Sequence, residues 1–494
     1  MTHPAVRDLI QSLARHEAFQ DLIRRLLRRE TNRLSLSGLT NTAKALYLVL
    51  LWQTTERPLA VIVDGNKQAE TLGDLITAFF NLLVNRTDIP HPQTIPAYDI
   101  LPHQKLSPHT EIAEQRAIGL WRLATQRVPL TLAPVASALL KTESADFYRQ
   151  LAVTLRVGEE TPLDVLAAHL ESIGYERREP VEMTGEYSIR GGIFDIFPAE
   201  SARPVRVEFF GDEIESIRRF DVETQRSVLK VQEASILPLA EYPKSAPLFH
   251  DLAQKLDYEG VASPGDPFPG WEFAVPLARP RTHTLFSLAS DAVIVLDEPE
   301  ALAGAGERLW KRLSEPAQPA ASALAEANFY RWEELTDRID GATQVAIREL
   351  ELGAAEALHI STRPSMSFHG SMQVAVAEAK SLVEQGNRVA FFAPSTGELE
   401  RLADILQEYS VPFQLGLEPS DQTPAYLAER AYIAGSVAST FLIKGNIAKG
   451  AIFPESRVAL FGSEDLFDSS DLIARPGLTK SQLATFGADL ADLK

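Results

Sequence analysis

The sequence predicts an α/β multidomain protein, and three observations support this prediction. Short apolar runs that end in polar turns alternate with helical patterns, as in a parallel sheet covered by helices. Around residues 150–240 the pattern changes to alternating strands, which indicates a small α+β domain with an antiparallel sheet. The 494 residues, of which 45% are hydrophobic, are sufficient for about three or four domains.

The composition excludes several classes of function. Acidic residues outnumber basic ones, 67 to 48, and the net charge of −19 argues against a broad DNA-coating surface. The chain has no cysteine, so disulfides, cysteine-ligated zinc and thiol catalysis are excluded. No apolar run approaches the ~18 residues of a membrane span, and residues 1–30 lack the apolar centre of a signal peptide. We therefore expect a cytoplasmic protein with no membrane partner.

The first part of the predicted core covers residues 1–148. Residues 1–30 have an amphipathic helical pattern, and a strand, a loop and a helix are predicted at about 33–52. The run PLAVIVDG at 58–65 predicts a buried parallel strand, because it is continuously apolar and ends in Asp-Gly. Helical patterns at about 67–84 and 110–126 complete this part.

Residues 149–240 are predicted to form the small α+β domain. Its first element is a helix that has Thr161 as its cap and ends at Gly174. In the run PVRVEFF, Val205, Val207 and Phe209 alternate with charged residues, which is the period of a half-buried strand. The Gly-Asp pair that follows this run predicts a turn into the next strand.

The remainder of the chain is predicted to complete the core and to add another domain. The run DAVIVLDEPE predicts one more buried strand, so residues 241–344 are assigned to the core. Helix, strand and helix patterns, with further strands at AYIAGS and VALF, predict an additional α/β domain over residues 345–470. Residues 471–494 contain too little apolar sequence for a domain and are predicted to be a linker.

A phosphate-binding loop is partly present after the first strand. The P-loop pattern is glycine, four residues and then Gly-Lys-Ser/Thr. The sequence has Gly38 and Lys44, but Ala43 and Ala45 replace the second glycine and the hydroxyl residue. Alanine resists the positive φ that glycine tolerates, and it has no oxygen to offer to Mg²⁺. Taken alone, the loop is a nucleotide site, the remnant of one, or a chance match.

Other candidate sites are weaker. His91, His103 and His109 lie in one Pro-rich loop, but their spacing matches no common zinc site. No Ser/His/Asp set and no carboxylate pair suited to acid–base catalysis stands out. We therefore predict no catalytic residue and no metal site.

A block of about fifty residues carries a specific resemblance. It contains Tyr-x-Arg, an Arg-Gly step, Asp-x-Phe-Pro-Ala, EFFGDEIESI and Phe-Asp-x-x-Thr-Gln-Arg. This block resembles the module shared by UvrB, the helicase of nucleotide excision repair, and the transcription-repair coupling factors (Mfd). The flanking runs PAYDILPHQKLSPH and GWEFAVPL are similar to Mfd, so the resemblance favours the N-terminal, UvrB-like region of Mfd and extends thinly over about residues 1–470.

The resemblance implies a degenerate P-loop-type, UvrB-like core that is interrupted by the small domain. Gly38 and Lys44 are then remnants of the phosphate loop. Asp297 and Glu298 follow four apolar residues, as the Mg²⁺ carboxylate and base of a Walker B strand do. The resemblance implies no catalysis and no cofactor for this chain, although the full-length family is an ATP-dependent DNA translocase.

The resemblance also implies that residues 149–240 bind UvrA, the damage-recognition subunit. Residues 177–226 contain eight arginines and no lysine, and a guanidinium can grip a carboxylate with two hydrogen bonds. The shared motif falls on Arg177 and Arg190, with Phe194 as an apolar anchor, and both arginines are expected to project from one face. Ser188 replaces an arginine of the UvrB pattern.

Two alternatives are a divergent UvrB-type ATPase or DNA helicase and a stand-alone scaffold that sequesters UvrA. The resemblance assigns contacts with RNA polymerase and DNA to domains beyond residue 494. UvrA is therefore the expected direct partner of this chain.

Overall fold

The computed structural model describes residues 4–29, 31–84, 86, 88–256, 265–289, 291–315, 319–350, 358–416 and 439–467. Helices and strands are numbered in chain order. The helices of these residues are α1 (Pro4–Leu13), α2 (Glu17–Arg28), α3 (Asn41–Thr55), α4 (Asn66–Leu83), α5 (Thr110–Thr125), α6 (Val135–Ala138), α7 (Ala145–Arg149), α8 (Leu163–Ser172), α9 (Ala246–Leu256), α10 (Trp271–Ala278), α11 (Leu285–Leu288), α12 (Pro299–Ser314), α13 (Pro319–Asn328), α14 (Trp332–Ile339), α15 (Met372–Glu384), α16 (Thr396–Glu408) and α17 (Ser463–Leu466). The strands are β1 (Arg33–Ser37), β2 (Leu59–Val63), β3 (Gln93–Thr94), β4 (Leu130–Pro134), β5 (Val153–Arg156), β6 (Glu176–Arg177), β7 (Glu186–Arg190), β8 (Ile193–Ile196), β9 (Val205–Phe210), β10 (Glu213–Phe220), β11 (Ser227–Val231), β12 (Glu233–Ile236), β13 (Val293–Asp297), β14 (Gln344–Ile347), β15 (Leu358–His359), β16 (Arg363–Pro364), β17 (Arg388–Ala393), β18 (Gln414–Gly416), β19 (Thr440–Lys444), β20 (Ala451–Phe453) and β21 (Val458–Phe461).

The core is a parallel sheet in the order β15-β1-β14-β13-β2-β4-β3, which confirms the predicted α/β class. Strands β2 and β4 are buried at every position, because helices cover both faces of the sheet. β1 and β13 flank β14 and run parallel to it. The loop after β1 and the last residue of β13 therefore lie at the same, carboxyl edge of the sheet.

The inserted domain lies between α7 and α9 of the core. Its main sheet has the order β11-β10-β9-β8-β7-β6, and β5 pairs with β12 beside it. Val205, Val207 and Phe209 are buried, so the predicted alternation in β9 is confirmed. The predicted cap of α8 is wrong, since the helix begins at Leu163 and the N–H of Thr161 donates to the carbonyl of Asp212 (2.7 Å).

The third domain is a mixed sheet in the order β16-β20-β21-β17-β19-β18, with α15 and α16 packed against it. The boundary predicted at 345 does not match this structure, because residue 345 lies within β14 in the middle of the core sheet. β15 also pairs with β1, so the third domain begins near residue 360. The strand predicted at 431–436 and the linker predicted at 471–494 lie outside the described residues.

The third domain packs on the core through α3 and α4. Tyr47 of α3 contacts Phe453 (ring centroids 6.3 Å apart), and Phe79 of α4 contacts Phe392 (6.4 Å). The hydroxyl of Thr42 donates to the carbonyl of Lys449 (2.6 Å). The helical pattern at 1–30 forms two helices rather than one, and α2 packs on α3 and beside β15. Helix α3 is therefore buried along most of its length.

Candidate functional site

The residues predicted to be the remnant of a nucleotide site lie at the carboxyl edge of the core sheet. β1 ends at Ser37, the loop begins at Gly38, and α3 starts at Asn41. Asp297 is the last residue of β13, two strands away from β1. The structure therefore brings Lys44, in the first turns of α3, to the two carboxylates that the sequence places at the end of β13.

Lys44 forms a buried ion pair with these carboxylates. Its Nζ donates to Asp297 Oδ1 (2.7 Å) and to Glu298 Oε1 (2.7 Å), and Gln68 donates to Asp297 Oδ2 (3.0 Å). The Lys44 and Asp297 side chains are only 2% and 3% exposed. Burial alone would lower the pKa of Lys44, but the two carboxylates outweigh it and raise the pKa above its ordinary value. Lys44 is thus a cation whose charge is neutralised within the protein.

The backbone of the loop after β1 is also bonded within the protein. The N–H of Leu39 donates to the carbonyl of Arg348 (3.1 Å), and that of Thr40 donates to Oγ1 of Thr362 (2.9 Å). The Thr362 hydroxyl in turn donates to the carbonyl of Gly38 (2.6 Å). A P-loop directs such N–H groups at phosphate oxygens. Here the N–H groups of Leu39 and Thr40 instead donate to residues that follow β14 and β15.

Gly38 has a packing role of its own. Its φ is +86°, and a Cβ at this position would lie 2.3 Å from the carbonyl oxygen of Ile360. Both facts require glycine here without any phosphate. The two alanines that interrupt the P-loop pattern, Ala43 and Ala45, are fully buried in α3. The loop after β1 and the start of α3 are therefore part of the packing of the core.

The predicted UvrA-binding arginines lie at one end of the inserted sheet. This end, called the tip end below, carries the β7–β8 turn at 191–192 and the β9–β10 turn at 211–212. Arg190 is the last residue of β7, directly before the first turn. Arg177 lies on the edge strand β6, and its Nη2 is 3.5 Å from the carbonyl oxygen of Ile189. Both arginine side chains therefore reach the tip end.

The two arginines nevertheless start from opposite faces of the sheet. Arg177 is level with Tyr187, whose side chain is buried, whereas Arg190 pairs with Ile193 on the outer face. The expectation that both project from one face is therefore not met by the strand register. Both side chains nevertheless lie near the tip end of the sheet, because the Arg177 side chain extends along the edge strand to the carbonyl of Ile189.

Arg190 is held on the outer face by a buried carboxylate. Its Nη2 donates to Asp195 Oδ2 (3.2 Å), and its Nη1 is 3.6 Å from Glu179. Asp195 also accepts two hydrogen bonds from Arg206 (2.7 and 2.8 Å), so its charge is compensated without Arg190. Ser188 pairs with Asp195 in the β7–β8 ladder and is buried. The Arg190 side chain remains about half exposed to solvent, although it is paired with the carboxylates of Asp195 and Glu179.

Phe194 is not on this surface. Its side chain is 0% exposed and contacts Tyr187 (ring centroids 6.1 Å apart) in the core of the inserted domain. The expectation that Phe194 is a partner-facing anchor therefore does not agree with the structure, because inward positions of β8 fill the core between the sheet and α8.

Phe210 and Ile193 are exposed apolar residues of the tip end that the motif did not indicate. Phe210 is 79% exposed and Ile193 is 38% exposed. The alternation in β9 contained the signal, since an inward Phe209 places Phe210 on the outer face.

A buried ion pair that sequence reasoning missed connects the inserted domain to the core. Arg116 of α5 donates to Glu241, which follows the last strand of the insert. Its Nη1 also donates to the carbonyl of Pro96 (2.6 Å) and to the hydroxyl of Ser137 (2.8 Å). The guanidinium lies 4.4 Å from the ring centre of Tyr98. Because the hydrogen-bond partners of Arg116 are 20 to 125 positions away from it in sequence, no local pattern could have indicated this ion pair.

Two kinds of feature are absent from the described ranges. No helix among them is long and apolar enough to cross a membrane. Within the same ranges, no three His, Cys, Asp or Glu side chains are arranged to hold a metal ion.

Residues 153–242, which contain the sheet with the tip end, match the family described as the UvrB interaction domain. The chain is similar to transcription-repair-coupling factors along most of its length. It is 23% identical over 469 residues to that of Bacillus subtilis (87% of this chain, 38% of the relative) and 27% identical over 511 residues to that of Myxococcus xanthus (94% and 41%). The factor of Escherichia coli is 30% identical over 208 residues (42% and 17%).

These similarities confirm the resemblance that the sequence motifs indicated. The chain is thus similar, over most of its length, to a part of the transcription-repair-coupling factors, and its residues 153–242 match the UvrB interaction domain. It spans about two fifths of the length of the Bacillus and Myxococcus relatives, or 38% and 41%.

Proposed function

We propose that this chain is a non-catalytic module of a transcription-repair coupling factor that recruits UvrA during nucleotide excision repair. The observation that carries this proposal is the UvrB interaction domain at 153–242, whose sheet presents Arg177 and Arg190 at its tip end. These arginines place two guanidinium groups at one end of the inserted sheet, on a chain with a net charge of −19. The two guanidinium groups favour a partner protein with an acidic surface. The net negative charge of the chain disfavours the approach of a nucleic acid.

The direct test is a titration of the chain with purified UvrA by calorimetry. We expect a saturable, stoichiometric heat of binding. A control chain in which residues 153–236 are replaced by a short Gly/Ser linker should not bind while the core still unfolds cooperatively. If wild-type chain and control give the same heats, the inserted domain does not recruit UvrA and the proposal fails.

The second part of the proposal is that the remnant nucleotide site does not bind nucleotide. Lys44 is neutralised by Asp297 and Glu298, and two N–H groups of the loop are bonded within the protein. To bind in this loop, a nucleotide would have to replace the buried ion pair and displace the segment after β15. The alternative function, an ATPase or helicase, requires such binding. The module therefore acts by binding, and contacts with RNA polymerase and DNA are assigned to other parts of the factor.

For nucleotide, we expect no saturable binding of a fluorescent ATP analogue with Mg²⁺ and no ATP hydrolysis. The reason is that the groups needed to hold phosphate are already paired. The measurement is fluorescence anisotropy, with Lys44→Ala as the matched variant. Micromolar binding by the wild-type chain that Lys44→Ala abolishes would show a working site.

For DNA, we expect weak or undetectable binding of the chain to duplex DNA at ~0.15 M salt. Its net charge of −19 opposes the phosphates. The measurement is an anisotropy titration with a labelled duplex, repeated at ~0.05 M salt. Submicromolar affinity at the higher salt would reveal a basic surface that the charge argument misses.

A further inference from the structure

We propose that Phe210 is the apolar anchor of the UvrA-binding surface, an inference that rests on the function proposed above. The surface consists of Arg177, Arg190, Ile193 and Phe210. The aromatic ring is expected to enter an apolar pocket of the partner, while carboxylates beside that pocket meet the two arginines.

The exposure of Phe210 follows from the shape of the tip end. Phe209 donates its N–H to the carbonyl of Gly192 (2.7 Å), which places the glycine turn across from the end of β9. A Cβ on Gly192 would lie 2.6 Å from the carbonyl oxygen of Phe209, so this close approach requires glycine. A turn of two glycines has no side chain to cover the neighbouring ring. Phe210 is consequently 79% exposed on an ordered strand.

The neighbours of Phe210 distinguish it from an isolated surface hydrophobe, which by itself needs no explanation. Ile193 lies on the same outer face and pairs with Glu208, two residues from Phe210. On the neighbouring strand β7, Arg190 is the residue that pairs with Ile193. The outer face thus runs from a half-exposed arginine through a partly exposed isoleucine to an exposed phenylalanine. Aromatic residues and arginines at the centre of a patch are the residues that dominate binding energy at interfaces.

The charges around this surface also define the partner. Arg177 and Arg190 lie on the β6–β7 side, whereas Glu213 pairs with Phe210 on the β10 side. A complementary surface therefore has carboxylates on one side of an apolar pocket and a basic or neutral group on the other. This polarity fixes the orientation of the partner as well as its affinity.

The test compares Phe210→Ala with Leu229→Ala in titrations against UvrA. Leu229 is also exposed (54%) and lies on the same sheet, but it pairs with Arg219 of β10, far from the tip end. We expect Phe210→Ala to weaken binding by about tenfold or more and Leu229→Ala to change it by less than about twofold. Phe210→Leu should retain part of the affinity, since it keeps an apolar side chain.

Salt dependence separates the anchor from the arginines. Phe210→Ala should leave the slope of log Kd against log salt unchanged, whereas Arg190→Ala should reduce it, because a neutral ring contributes no charge. Circular dichroism and thermal melts should be the same for all variants.

The outcomes distinguish this inference from the function on which it rests. If Phe210→Ala binds UvrA as the wild type does while Arg190→Ala binds weakly, Phe210 is not an anchor and the recruiting function stands. If the folded wild-type chain does not bind UvrA at all, both the function and the assigned partner of this surface are overturned.

Discussion

Lys44→Ala is expected to lower the free energy of unfolding of the core by about 3–5 kcal/mol. The substitution leaves the Asp297 carboxylate, 3% exposed, with a neutral amide donor from Gln68 and no cation. A buried charge without its partner is strongly destabilising, whereas Glu298 is one-third exposed and can turn to water. Removing both charges should cost less, so Lys44→Met combined with Asp297→Leu should recover most of the loss.

Tryptophan fluorescence during urea unfolding measures this effect in the core. All five tryptophans lie in the core, which separates its unfolding from that of the other two domains: Trp52, Trp121, Trp271, Trp310 and Trp332. The matched control is Lys67→Ala, which removes an exposed lysine from the start of α4 and should change stability by less than about 0.5 kcal/mol. Equal midpoints for Lys44→Ala and Lys67→Ala would mean that the ion pair is not a stabilising element.

The same ion pair predicts a pH dependence with a definite sign. The pKa of Lys44 is raised in the folded protein above its ordinary value of 10.5. The contribution of the Lys44 charge to the free energy of unfolding is therefore fully present at pH values below 10.5. It is lost as the pH rises through the pKa of Lys44 in the folded protein. The difference in stability between wild type and Lys44→Ala should be constant near neutral pH and should shrink only in strongly alkaline solution.

The elements of this site could be predicted from sequence because their signals are local. A buried strand, a glycine loop and a helix define β1, Gly38 and α3, and an apolar run followed by two carboxylates defines the end of β13. A parallel sheet then brings the carboxyl ends of its strands together. What closes the loop could not be predicted, because Arg348 and Thr362 reach it from more than 300 residues away.

The proposed UvrA-binding surface also combines features that the sequence indicates locally with features that depend on distant residues. The alternation in β9 determines the direction of Val205, Val207 and Phe209, and by extension that of Phe210. The motif alone did not indicate on which face of the sheet a side chain lies. It therefore suggested Phe194 as the apolar anchor, although Phe194 lies in the core. That both Arg177 and Arg190 lie near the tip end depends on how β6 pairs with β7. A strand of two residues, such as β6, has no recognisable period in the sequence.

The larger functional effect is expected from Arg190→Ala and Arg177→Ala, each of which should cost about 2–5 kcal/mol of UvrA binding. The physical reason is that each guanidinium is expected to pair with a partner carboxylate that becomes buried on binding and is stranded by the substitution. Arg190→Ala should not unfold the domain, since Arg206 still holds Asp195 with two hydrogen bonds. Arg190→Lys should restore binding only in part, because lysine supplies the charge without the planar fork.

The matched controls are Arg203→Ala and Arg226→Ala, which remove the same group at the opposite end of the sheet. Arg203 lies between β8 and β9 and Arg226 between β10 and β11, and both are exposed. Each should cost less than about 1 kcal/mol, as exposed charges outside an interface do. Calorimetry against UvrA measures all four losses, with circular dichroism to confirm folding. Small and equal losses would mean that binding is diffuse electrostatic attraction, because only a defined surface at the tip end makes the position of an arginine matter.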